Sequence, residues 1–269
     1  MSLLGNIPIG QYIAGHSPIH RLDPRAKLVF AFVFIILIFL AGSLLSFLIV
    51  TAVCLIGILL SRLSIMYVLK GLKPALWFIV LTILVQVLTN QQGPLLFSWR
   101  FIEIHMQGVQ EASVVSARII LLMVIASILT LTTSPIQLTD GLESLFSPLN
   151  RFGFPAHELA LMMSISLRFI PTLLEETEKI AKAQISRGAS FSSGSIGKRV
   201  MGIVPLIVPL FVQSFRRAED LALAMEARGY RGGEGRTKYR KLVWKTSDTG
   251  LILILIILSG ILMYLRIAV

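Results

Sequence analysis

The sequence predicts an all-α integral membrane protein with about five transmembrane helices and a cytoplasmic helical domain bearing two long arms. Three observations carry this. The 269 residues are 55% hydrophobic and 14% charged, with a mean hydropathy of +0.81, far above that of a soluble domain. Apolar runs at 27–41, 44–60, 74–89, 109–133 and 250–267 each approach the ~20 residues that cross a bilayer as a helix, once flanking turns are added. The cations are also unevenly spread. Of the 25 Lys and Arg, 22 lie before the first run, between the second and third, or within 134–248, whereas Arg100 stands alone between the third and fourth. Positive residues stay on the inner side, so the N-terminus is expected in the cytoplasm and, after five crossings, the C-terminus outside. The expected division is a membrane bundle of 1–133 and 249–269 and a cytoplasmic or interfacial domain of 134–248.

The elements follow in order. Residues 1–26 lack an apolar core and are read as no cleavable signal peptide. Asp23 is a natural N-cap and Pro24 a natural first residue for span one. Ala41-Gly42-Ser43 turns tightly into span two, where Cys54 reads as a packing residue. Between spans three and four, Asn90 to Pro94 is a turn cluster, and Leu95 to His105 reads as a short external hairpin or an interfacial segment with Trp99 at headgroup level. Arg118 lies inside span four. An intramembrane arginine must pair, snorkel or line a polar cavity, and a helix–helix tie, for instance to Glu111, is favoured over a transport site because the spans carry scarcely any other polar group.

The polar insert opens with Thr132-Thr133-Ser134-Pro135, a span end and helix start. A long helix is expected from Ala156 to Arg187, apolar along one side at first, polar later, and kinked near Pro171. Residues 189–200 read as a linker, and Gly194 to Arg199 lacks the glycine and hydroxyl of a phosphate-binding loop. Residues 201–215 are apolar but short and interrupted by Pro205 and Pro209, so an interfacial or partner-covered helix is expected rather than a span.

Both long helices end alike, in Ser186-Arg187-Gly188 and Ala227-Arg228-Gly229. Glycine suits the left-handed position that closes a helix, so the preceding arginine is presented at an exposed tip. A guanidinium there can make a forked pair with a carboxylate of a partner. Arginine also favours the last turn of any helix by complementing the macrodipole, but two such endings ask for more. Both arms are expected to point their arginines away from the membrane.

Several function classes fit poorly. The four histidines are dispersed and, with the one cysteine, read as no metal site, and no span clusters Asp, Glu, His or Ser as an intramembrane enzyme needs. The formal charge of +11 suits phospholipid headgroups without requiring nucleic acid. The alternative that stays open is a self-sufficient permease binding its own solute.

The chain resembles the transmembrane T components of energy-coupling factor (ECF) transporters. The resemblance rests on Leu22-Asp23-Pro24-Arg25-Ala26-Lys27-Leu28, Thr132-Thr133-Ser134-Pro135, Arg168-Phe169-Ile170-Pro171 through Glu175-Glu176 to the first triplet, and Arg217-Ala218 through Ala224-Met225-Glu226 to the second. It implies a non-catalytic scaffold in a bacterial cytoplasmic membrane, joining a small substrate-binding membrane subunit to two cytoplasmic ABC-type ATPases. ATP and Mg would be bound by those ATPases, and this chain would hold no cofactor. Arg187 and Arg228 would dock in one ATPase each, with Ser186 and Ala227 allowing close approach and Gly188 and Gly229 closing the tips. Ser186 departs from the alanine usual in the family, and being small it is expected to preserve docking. ATP-driven closure would draw the tips together and reorient the substrate subunit, which would rest on an apolar surface including Met162, Met163, Leu206 and Phe211. The transported compound would be a vitamin or other micronutrient.

Overall fold

A computed structural model describes residues 12–90, 92–99, 102–189, 196–232 and 242–268. Among these are eight α-helices, α1 (Pro24–Leu40), α2 (Leu44–Ser61), α3 (Ile65–Thr89), α4 (Met106–Thr132), α5 (Pro135–Phe146), α6 (Ala156–Ser186), α7 (Ile196–Ala227) and α8 (Thr246–Ala268). One antiparallel hairpin, β1 (Leu95–Trp99) with β2 (Ile102–His105), joins α3 to α4. The hairpin decides between the two sequence readings of this segment, and the side chain of Trp99 lies outside the described residues. The described residues divide into two units, one within 10–142 and 242–269, the other within 143–241.

In the first unit α4 packs against α1, α2 and α3, and α8 packs against α1. Phe34 and Ile38 of α1 are fully buried, and Leu121, Val124, Ile125 and Ile128 of α4 and Leu255, Leu258 and Leu262 of α8 complete the core. The outward faces stay apolar, with Trp77 and Phe78 of α3 and Ile256 and Ile257 of α8 exposed, as hydrocarbon contact requires. Helices α2, α3, α4 and α8 are long and apolar enough to cross a membrane, and α1 has 17 residues. The Met201–Ala227 part of α7 also meets the length and composition of a span. The expectation that the prolines break 201–215 is corrected by the continuous helix. Pro205 and Pro209 sit inside a continuous 32-residue helix, in its third and fourth turns, where each removes one backbone hydrogen bond without ending the helix. Residues 196–200, read as linker, form its first turn.

The polar groups of the bundle gather where α1 begins. Asp23 caps α1 by accepting the Arg25 N–H at 2.9 Å. Its own N–H donates to Asp248 at 2.8 Å, and the second oxygen of that fully buried carboxylate accepts the Lys245 N–H at 2.7 Å. Lys27, one turn on, donates its Nζ to the Thr132 carbonyl at 3.0 Å and the Thr133 hydroxyl at 3.2 Å. The starts of α1 and α8 and the end of α4 are thus tied together. Ser134 and Gln137 then form a reciprocal capping box for α5, with Pro135 in its first turn.

At the other end of α4, Gly108 permits close approach to α3, since a Cβ there would lie 2.9 Å from the Asn90 carbonyl oxygen. Arg118 makes the expected helix tie with a different partner. Its Nη2 donates to the Ala41 carbonyl at 3.2 Å, and the guanidinium lies 5.6 and 5.9 Å from the ring centroids of Phe39 and Phe47. The end of α1 offers an orphan carbonyl, flanked by aromatic faces that stabilise a cation, and no ion pair joins Arg118 to Glu111.

Two predictions follow from this packing. Asp248→Ala strands two backbone donors and should destabilise the bundle by about 3 kcal/mol, read as a lower midpoint of thermal unfolding in detergent. His20, ahead of α1, hydrogen-bonds through Nδ1 with the Ser17 hydroxyl at 2.6 Å and through Nε2 with the Ile13 carbonyl at 3.0 Å. Burial pushes its pKa below the usual value, assisted by the Lys27 and His16 charges and opposed by the Ile13 carbonyl. The neutral ring is the folded form. Stability is therefore present above about pH 6.5 and falls as the pH drops through the folded pKa. Unfolding midpoints measured between pH 7.5 and 5 should show that loss, and His20→Gln should flatten it.

Candidate partner-docking site

Helices α6 and α7 form the site. The connection between them is short, so they pass one another in opposite sense. Arg217 of α7 holds the crossing. It donates Nη1 to the Thr172 hydroxyl at 3.2 Å, pairs Nη2 with Glu176, and stacks its guanidinium 5.6 Å from the Phe169 ring centroid. Around it Leu173 of α6 and Ala218 and Ala222 of α7 line the seam. Helix α6 runs unbroken through Pro171. The stretches Arg168 to Glu176 and Arg217-Ala218, which carry part of the family resemblance, thus meet as a clasp between the arms. Spacing alone did not reveal that partnership, because the residues stand 41 positions apart and pair only once the chain has turned back.

Both arms end in the same way. After α6, the Gly188 N–H donates to the Ile185 carbonyl at 2.9 Å and the Ala189 N–H to the Gln184 carbonyl at 2.9 Å. After α7, the Gly229 N–H donates to the Glu226 carbonyl at 2.8 Å and the Tyr230 N–H to the Met225 carbonyl at 3.0 Å. These are paired Schellman closures, with φ of +87° at Gly188 and +74° at Gly229. Arg187 and Arg228 stand immediately before them, exposed, and among the described residues neither makes an ion pair. Ser186 returns its hydroxyl to the Lys182 carbonyl at 3.1 Å, so its outer surface is almost as bland as that of Ala227.

The two tips lie apart along the helix hairpin. Arg228 lines a groove with Arg168 of α6, and Arg187 lies 19 residues further along α6, about 28 Å at helical rise. The apolar contact candidates are separated too. Met162 and Met163 are exposed before the crossing on α6, while half-buried Leu206 and exposed Phe211 precede it on α7, which places the two pairs at opposite ends of the helix hairpin. Among the described residues no three of His, Cys, Asp and Glu gather as a metal site.

The family model for CbiQ, described as cobalt transport protein, matches residues 15–239. The energy-coupling factor transporter transmembrane protein EcfT of Bacillus subtilis is 49% identical over 264 residues, covering 98% of this chain and 100% of that protein. The protein of the same name from Brevibacillus brevis is 52% identical over 246 residues, 91% of this chain and 93% of that protein. That from Listeria innocua is 48% identical over 258 residues. With the multi-pass bundle and the paired arms already in view, the chain belongs to the CbiQ/EcfT family, the non-catalytic transmembrane components of energy-coupling factor transporters.

Proposed function

We propose that this transmembrane component couples two cytoplasmic ABC-type ATPases to a small substrate-binding membrane subunit, each ATPase receiving one arginine tip. The observation that carries this reading is the duplicated, closed helix end, which leaves Arg187 and Arg228 exposed without an intramolecular ion pair. The closures occupy the Gln184, Ile185, Met225 and Glu226 carbonyls with backbone N–H groups, so each guanidinium is available to a partner carboxylate. Tips that lie far apart along the hairpin suit two separate subunits better than one. ATP and Mg belong to those ATPases. The exposed apolar halves of the arms, with Met162, Met163, Leu206 and Phe211, take the substrate subunit, and methionine adapts readily to different partners.

In the bacterial cytoplasmic membrane the N-terminus then faces the cytoplasm and the C-terminus the exterior, with 134–248 as the coupling domain. Movement of the ATPases displaces the tips, and the Arg217–Glu176 clasp passes the displacement across to the apolar halves. Micronutrient specificity resides in the substrate subunit.

Arg187→Glu combined with Arg228→Glu should release both ATPases from the complex purified through this chain and abolish ATP-driven uptake, with the detergent unfolding midpoint unchanged. Retention of both ATPases and of uptake would instead favour a permease acting alone. Gly229→Ala places a side chain at positive φ with no steric neighbour, so its effect is purely conformational. It should destabilise the last turn of α7 by about 1 kcal/mol, seen as faster amide exchange at Gly229 and Tyr230.

A further inference from the structure

The groove between the first half of α6 and the end of α7 has a volume of 590 Å³. Ile165, Leu221 and Met225 supply its apolar part, and Arg168, Arg228 and Arg231 its cations, with no carboxylate in the lining. All three arginines are exposed, and among the described residues none makes an ion pair. Two other cations of the arms are paired, Arg217 with Glu176, and Lys182, near the first tip, with Glu178 at 2.9 Å. Gathering three like charges around an apolar patch raises the energy of the isolated subunit, and an anionic partner reverses the sign of that term. An apolar floor does nothing for a bare phosphate. It suits a peptide segment that places an apolar side chain between carboxylates, which guanidinium forks recognise in bidentate fashion.

We propose that the second tip is a compound socket, in which Arg168 and Arg231 join Arg228 to hold an acidic segment of one ATPase whose apolar side chain rests on Ile165, Leu221 and Met225. This rests on the reading that Arg228 docks an ATPase. The ATPase at the second tip is then held with a salt sensitivity set by three cations and not by Arg228 alone.

The assembled transporter, captured in detergent through a tag on this chain, is washed at increasing sodium chloride while each retained ATPase is quantified. Arg168→Gln with Arg231→Gln, leaving Arg228 in place, should weaken retention at the second tip about five- to tenfold and flatten its salt dependence. Arg168→Lys with Arg231→Lys should recover part of the binding and all of the salt dependence, a rescue that a purely structural role would not produce. If the glutamine pair retains the ATPases with the wild-type salt profile while the double Glu substitution at Arg187 and Arg228 releases them, the socket is wrong and docking by the tips survives. If the Glu double variant also retains them, docking falls with it. Unchanged retention accompanied by loss of binding to phosphatidylglycerol vesicles would assign the groove to lipid headgroups and overturn the proposal.

Discussion

The bundle depends on one constraint, that hydrocarbon offers no hydrogen bonds, so every polar group entering it must be satisfied by protein. The start of α1 shows how this chain meets it. Asp23, Lys27 and Asp248 use one another's surroundings: a carboxylate that caps α1, a carboxylate that takes two backbone N–H groups, and an ammonium that takes the last carbonyl of α4. Three helix ends that would each be costly alone become one junction. Arg118 repeats the solution at the opposite end of α1, where it serves the Ala41 carbonyl between two phenylalanine rings. Helix α1 is therefore pinned at both ends by charged side chains of high hydrogen-bonding capacity, and its apolar middle needs only to pack.

The arms obey the same accounting with the opposite result. Their terminal carbonyls are closed by glycine geometry and not by arginine, which is why Arg187 and Arg228 remain uncommitted. Had the guanidiniums been needed to cap their own helices, as lysine and arginine often are, little would be left for a partner. Arg217 is the contrasting case. It is committed to Thr172, Glu176 and Phe169, and it fixes the arms to one another instead of offering itself outward.

Local chemistry was legible in the sequence and distant pairing was not. Asp23 with Pro24, Ser134 with Pro135, and the glycines after Arg187 and Arg228 announce helix ends through rules that act within a few residues, and the structure has ends at each. The extent of α6 was readable from its apolar side. Arg118 was readable as a tie, because burial demands a partner, but the partner itself was not, since Ala41 lies 77 positions away and offers only a backbone carbonyl. The roles of Lys27, Asp248, Arg217 and Glu176 were hidden for the same reason: each side chain reads as an ordinary surface charge until the fold brings its counterpart close. Pro205 and Pro209 misled in the other direction. They suggested a break, yet a proline inside a helix removes one backbone bond without having to end it, and the rest of the 32-residue α7 carries the segment through.

The clasp has a mechanical consequence for the tips. Beyond the crossing, α6 continues for ten residues past Glu176 to Ser186, and α7 for ten past Arg217 to Ala227. Each extension is thus about 15 Å of helix, roughly three turns, and that of α7 lines a groove with α6 as far as Arg228. An isolated helix of that length is marginal in water, so its order must come from the anchored end and from the closure at its tip. The i,i+4 pair of Glu178 and Lys182 adds a few tenths of a kcal/mol along the α6 extension, while Met225 and Leu221 rest against Ile165 along that of α7. The two extensions are equal in length and differ in what they lie against. Differences between the two partners must then arise from what surrounds each arginine, not from the length of the arm that carries it.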